Sequence, residues 1–140
     1  MLEFALLMND DMTQSLARDG LTVARAHLLW ELHHRGPSTQ RVLAEALDVS
    51  PRNITGLVDG LVTTGFVTRE PHPADRRATL VSFTELGART AKEMEEGREQ
   101  LAALLFAEMS DNQFTGLVEG LGVVLDRLRE ELSEIEEEGR

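Results

Sequence analysis

Two adjacent arginines, Arg76 and Arg77, follow Asp75 in the stretch HPADRRATLVSFTELG, residues 72–87, of a chain whose formal net charge is −11. Arginine stays protonated, and its planar guanidinium donates two parallel hydrogen bonds to a carboxylate or a phosphate. Asp75, two residues before Arg77, is spaced to hold that guanidinium by such a pair and aim it. A second group with readable chemistry is SPRNIT, residues 50–55. Arg52 and Asn53 are candidates for base-edge contacts, since arginine reads guanine and asparagine reads adenine in the major groove of DNA. Ser50, Thr55 and Thr39 offer hydroxyl donors to phosphate, and Arg41 and Arg69 are further phosphate candidates.

These residues need elements to position them. Leu2 to about Arg18 places Phe4, Met8, Met12 and Leu16 four residues apart, which lines one side of a helix ended by Gly20. A second helix, from about Thr22 to His34, is closed by Gly36 and Pro37. Ser38 or Thr39 can cap a short helix holding Leu43, Ala44 and Leu47, and Ser50 can cap the next, with Pro51 at its first position. Asp48 lies in the turn between them, where a left-handed residue is often needed. Two short helices joined so closely form a helix-turn-helix. Its second helix, about 50–64, buries Ile54, Leu57, Val58 and Leu61, which turns Arg52, Asn53 and Thr55 outward, and Gly65 stops it.

Two short runs, Phe66–Glu70 and Thr79–Phe83, then read as a hairpin wing over about 66–83, with Pro71 and Pro73 stiffening the loop and keeping it out of the ladder. Arginines at such a tip are placed to enter the narrow minor groove while the helix occupies the major groove beside it. Thr84 can cap a long helix to about Met109. Ser110 to Gln113 reads as a capping box that opens a last helix to about Glu136. Along it Phe114, Leu117, Leu121, Val124, Leu128 and Ile135 keep a 3,4 spacing that lapses once, at Glu131. Such a row packs against other helices.

Composition sets the bounds. The 140 residues make one domain's worth, and a 41% hydrophobic content with five Phe, one Trp and no Tyr fits a mainly α fold with a small β-hairpin. The charge is uneven: residues 1–34 carry −3, residues 35–92 carry +2 and residues 93–140 carry −10. A basic working surface between acidic flanks results, and the flanks do not forbid DNA, because the Debye length at physiological salt is about 8 Å. There is no cysteine, no signal peptide is read at the N-terminus, and no stretch approaches the length of a membrane span, so a cytoplasmic address without membrane contact is expected. No P-loop, G-x-S-x-G, H-E-x-x-H or dinucleotide fingerprint is present, so no enzyme and no cofactor are expected. His27, Glu31, His33 and His34 do not make a metal site, because adjacent histidines point about 100° apart on a helix.

The segment LAEALDVSPRNITGLVDGLVTTGFVTRE, followed by DRRATLVSFTELG and two long helices, resembles the MarR family of winged helix-turn-helix regulators, most strongly from about Gly20 to Arg89. The D-x-R wing with L-x-S-x-T-x-x-G after it carries the resemblance. It implies one MarR-like domain over 1–140: a winged helix-turn-helix at 22–87, and dimerisation helices at 1–19 and 88–140. It further implies a homodimer straddling a pseudo-palindromic site on double-stranded DNA, acting as a regulator, most simply a repressor. Asp75, Arg76 and Arg77 fall on the wing and Ser50, Arg52, Asn53 and Thr55 on the DNA end of the recognition helix. A small aromatic or phenolic effector is implied as well, in a cleft for which Met8, Met12, Trp30, His33 and His34 are candidates. Two departures stand out. Gly60 replaces a basic or larger residue, which removes a phosphate contact and costs about 1 kcal/mol of helix propensity. The first helix begins at the initiator methionine, from which an abbreviated dimer interface is expected. The rival reading is a winged-helix protein-interaction module without DNA binding, which a salt titration separates from a DNA binder.

Overall fold

The computed structural model describes residues 2–139, and the side chains of all of these except 136–138. Its elements run α1 (Leu2–Arg18), α2 (Val23–Arg35), β1 (Ser38–Thr39), α3 (Gln40–Leu47), α4 (Pro51–Thr63), β2 (Val67–Pro71), β3 (Thr79–Phe83), α5 (Glu85–Phe106) and α6 (Asp111–Glu138). The chain divides into two compact units, residues 1–96 and 97–140.

In the first unit the helix ends are set by local chemistry. Thr22, Thr39 and Ser50 cap α2, α3 and α4, each side-chain oxygen accepting from the backbone N–H three residues on. Of the two candidate caps for α3, Thr39 takes the role, while the Ser38 hydroxyl donates to the Gly36 carbonyl at 2.9 Å. Asp48 holds the left-handed conformation, φ 51°, that ends α3, and the Val49 N–H returns to the Ala44 carbonyl at 3.0 Å. Gly65, φ 84°, ends α4 likewise, with the Phe66 N–H reaching the Leu61 carbonyl at 2.9 Å. Both are the paired bonds of a Schellman motif, which bring the chain back across the helix just finished.

The sheet has three antiparallel strands in the order β1-β3-β2, not the bare hairpin that the sequence pattern predicts. Ser38 and Thr39 pair with Val81 and Leu80, and Val67 to Pro71 pair with Phe83 to Thr79. Two residues are too few to show a period, so β1 has no signature in the sequence. Pro71, expected in the loop, is the last ladder residue of the edge strand, where a missing N–H costs little. The strand opens at Val67 rather than Phe66, and α5 ends at Phe106 rather than near Met109.

The core lies where these elements meet. Leu28, Leu29 and Leu32 of α2, Leu43 of α3, Ile54, Val58 and Leu61 of α4, Val67 of β2 and Val81 of β3 are all fully buried, with Leu16 of α1 completing the cluster. Leu57, expected inside, is half-buried against it. The T-x-x-G segment that opens α5 locks the wing to this core. The Thr84 hydroxyl donates to the Gly65 carbonyl at 2.5 Å, while its oxygen accepts from the Gly87 N–H at 3.1 Å. Gly87 packs so tightly on the Phe66 carbonyl that a Cβ there would overlap it, and would stand 2.9 Å from Phe83 Cδ1.

In the second unit Ser110 forms the full capping box with Gln113, and Phe106 meets Phe114 edge-on across the turn, ring centroids 5.4 Å apart. The apolar row of α6 is wider than the spacing read from the sequence. With Val118, Leu125 and Leu132 included, Phe114, Val118, Leu121, Leu125, Leu128, Leu132 and Ile135 alternate by four and three without a lapse, and all seven are exposed. No helix among the described residues is long and apolar enough to cross a membrane.

Candidate nucleic-acid interface

Helix α4 presents Pro51, Arg52, Asn53, Thr55 and Gly56 to solvent, because Ile54, Val58 and Leu61 claim its other face for the core. Among the described residues the Arg52 side chain has no hydrogen-bond or ion-pair partner. The Ser50 oxygen accepts from the Asn53 N–H at 3.1 Å and the Thr39 oxygen from the Val42 N–H at 3.3 Å, so both hydroxyls keep their proton for an outside acceptor. Thr55 does not. Its hydroxyl donates to the Pro51 carbonyl at 2.8 Å and accepts from Gln40 Nε2 at 3.1 Å, which makes it a structural link rather than a phosphate donor.

A polar chain ties the wing to this helix. Gln40 of α3 donates to Thr55 of α4 and accepts from Arg69 Nε of β2 at 3.1 Å, while Arg69 Nη2 donates to Asp59 Oδ1 of α4 at 2.5 Å. Arg69, expected at a phosphate, thus spends two of its nitrogens inside the protein, and Arg41 is paired with Glu45 at 3.1 Å. Exposed pairs like the latter are weak and yield easily to a stronger anion. Sequence reasoning missed Gln40 and Asp59. The signal was there in part, since Asp59 is an acidic residue one turn beyond Thr55 on the outward face.

The wing tip is organised by acceptors. His72 Nδ1 accepts from the Ala74 and Asp75 N–H groups at 3.0 and 3.2 Å, and the His72 N–H donates to the Ala78 carbonyl at 3.1 Å. Asp75 Oδ1 accepts from the backbone N–H of Arg77 at 2.9 Å. This corrects the expected side-chain pair: the carboxylate shapes the turn, and both guanidinium groups, Arg76 and Arg77, stand exposed without a carboxylate partner among the described residues. An aspartate two residues before a backbone N–H forms this local turn at little entropic cost, whereas the long arginine side chain would have to be immobilised. His72 was not foreseen as part of the site.

Of the five candidates for an effector cleft, three lie on α2 and two on α1. Trp30, His33 and His34 gather on α2, with Trp30 and His34 rings 4.4 Å apart, the His34 Nδ1 at 2.9 Å from the Trp30 carbonyl and His33 Nε2 at 2.9 Å from Glu95 Oε2. Met8 is half-buried and Met12 exposed, and neither is among the partly buried side chains packed on the core. A cavity of about 600 Å³ opens elsewhere, between α3 and the start of α4, lined by Gln40, Arg41, Val49 and Pro51 among others.

Residues 21–79 match the family model described as the MarR family. An HTH-type transcriptional regulator of Mycobacterium leprae is 34% identical over 80 residues, 57% of this chain and 56% of that protein, so the match spans little more than half of the relative. The HTH-type transcriptional repressor YetL of Bacillus subtilis is 30% identical over 125 residues, 86% of this chain and 74% of YetL. Among solved structures, that of RV1404 from Mycobacterium tuberculosis superposes with a TM-score of 0.73 at 27% identity, covering 90% of this chain and 87% of the other. With α2 to α4 and the wing in family order and a repressor matched over most of both lengths, the chain belongs to the MarR family.

Proposed function

We propose that this protein is a DNA-binding transcriptional regulator, a homodimer that represses by occupying a pseudo-palindromic operator. The observation that carries the reading is the Gln40–Thr55 and Arg69–Asp59 chain. It makes wing and recognition helix one body, so Arg76 and Arg77 meet DNA in a set relation to Arg52 and Asn53. The amino end of α4, capped by Ser50, adds the positive end of its helix dipole at the same place. Family membership and the repressor name of YetL support the same reading.

The exposed apolar rows support dimerisation. Leu2, Phe4, Leu6 and Leu7 on α1, and separately the seven-residue row on α6, are exposed, and exposed apolar rows of this kind mark interaction surfaces. Two copies would present two recognition helices to successive major grooves about 34 Å apart. Regulation then works by population shift: a small aromatic or phenolic effector that binds one spacing of the two helices better than the other changes operator affinity. Trp30 is the chain's one tryptophan and its ring lies against that of His34 at a tilt of 48°, so its fluorescence reports any ligand that displaces that ring.

The test is selection of genomic DNA fragments on the purified protein at two salt concentrations, beside Arg77→Ala. A palindromic site enriched by the wild type, weakened by salt and lost in the variant is the expected result. Failure of the wild type to enrich any fragment at low salt would overturn the reading in favour of a protein-contact module.

A further inference from the structure

Arg25, in the first turn of α2, carries a cation that the interface described above does not use. Its guanidinium lies flat on Gly60 of α4: a Cβ built at Gly60 would stand only 2.6 Å from Arg25 Cζ and 2.7 Å from Nε. No real side chain tolerates such a separation, so any residue but glycine at position 60 evicts the guanidinium. Arg25 is half-buried and, among the described residues, has no carboxylate within ion-pair distance. Its five N–H donors, half-buried against α4 and without an anion among the described residues, are open to one from outside.

The position of Gly60 says which anion. It follows Asn53 by seven residues, two helical turns, and so lies on nearly the same face of α4, with the bare Cα of Gly56 between them. Seven residues advance about 10 Å along a helix. The major groove is about 8.5 Å deep. With Asn53 at the base edges, the Gly60 end of the helix emerges at the level of the phosphates.

We propose that Arg25, seated on Gly60, binds a backbone phosphate in each half-site, a contact that rests on the DNA-binding reading above. Gly60 is then no loss of charge from the recognition helix. It exchanges a side chain of α4 for a guanidinium delivered from α2, and the helix propensity it forgoes is offset by a cation whose position is set by packing.

Operator DNA selected by the wild type is titrated against the full-length protein, Arg25→Gln, Gly60→Ala and Arg77→Ala over a range of salt. Arg25→Gln keeps the side-chain stem and removes the charge. It should weaken binding about tenfold without changing sequence preference, and should flatten the slope of log affinity against log salt by about 2, at about 0.9 per phosphate for two protomers. Gly60→Ala should flatten the slope equally while raising Tm, since alanine favours the helix and only the flexible end of Arg25 must move. A purely structural role predicts the reverse: a lower Tm with the slope unchanged. An Arg25→Gln dimer that is folded and keeps the wild-type slope while Arg77→Ala loses part of it would overturn this contact alone. If the wild type shows no salt-dependent DNA binding at all, the parent reading falls and this contact with it.

Discussion

The two compact units solve the burial problem in opposite ways. In residues 1–96 the large apolar side chains of α2, α3, α4 and the sheet close on one another until Leu28, Leu43, Val58 and Val81 see no solvent. In residues 97–140 the apolar row of α6 runs from 38% exposed at Leu121 to 63% at Ile135, and its glycines Gly116, Gly120 and Gly122 have open space where a side chain would go. Each large apolar side chain moved from water into a core contributes about 1.5–3 kcal/mol, so seven left in water are a substantial deficit. Apart from Leu2, Phe4, Leu6 and Leu7 of α1, the first unit closes most of its large apolar side chains on one another. The second leaves its apolar row to solvent, and the unbroken 3,4 spacing of that row is one that suits packing against another helix.

The contrast breaks first at α6. Leu121→Glu combined with Leu128→Glu puts two charges into the middle of the row and should convert the proposed dimer to a monomer in sedimentation experiments. Operator affinity should drop about a thousandfold with the loss of the second half-site, while the helical circular dichroism of the winged unit persists. A double variant that stays dimeric would mean the row serves something else. Glycine substitution sharpens the same contrast. Gly87→Ala drives a methyl into the Phe66 carbonyl and should cost about 3 kcal/mol in urea unfolding, since neither backbone can yield. Gly116→Ala, in open space on α6, should stabilise by up to about 1 kcal/mol through helix propensity. Equal effects at the two sites would contradict the division.

What the sequence made legible divides along the same line. Caps and stops are local chemistry, so Ser50, Pro51, Asp48, Gly65 and the Ser110–Gln113 box could be read directly. The outward face of α4 followed from the inward one. What escaped was contact between residues distant in the chain. Gln40 meets Arg69 across 29 positions, and Arg25 meets Gly60 across 35, with no periodicity to announce either. Asp75 escaped for a different reason: a carboxylate beside an arginine satisfies the nearest backbone N–H before it reaches a side chain, so a pairing drawn from charge alone points to the wrong atom. The lapse at Glu131 came from following one of two interleaved rows on a helix that is apolar over a broad face.

Within the first unit the DNA face should divide by kind of contact. Arg77→Ala removes an exposed charge from the wing and should weaken binding about tenfold on every operator variant, with a shallower salt dependence. Asn53→Ala should cost about 1–3 kcal/mol on the preferred operator and much less on variants altered at one position per half-site, because a base-edge contact discriminates and a phosphate contact does not. Binding measured across a panel of single-base operator variants separates the two. Uniform losses in both proteins would leave Asn53 without a reading role.

The smallest effect belongs to Ser82, the second-last residue of β3. It is 7% exposed, and among the described residues its hydroxyl meets no hydrogen-bond partner. Two residues on, Thr84 shows what a satisfied hydroxyl does in the same segment: it donates to a carbonyl across the turn and accepts from the helix it caps. A buried hydroxyl without a partner has lost its water and gained nothing in return, so removing it should cost little. Ser82→Ala should therefore leave the unfolding midpoint in urea unchanged or slightly raised, within about 1 kcal/mol, and leave operator affinity alone. A marked loss of DNA binding with stability intact would mean that this hydroxyl acts on the wing from inside the sheet. The first unit would then be transmitting to its DNA face as well as supporting it.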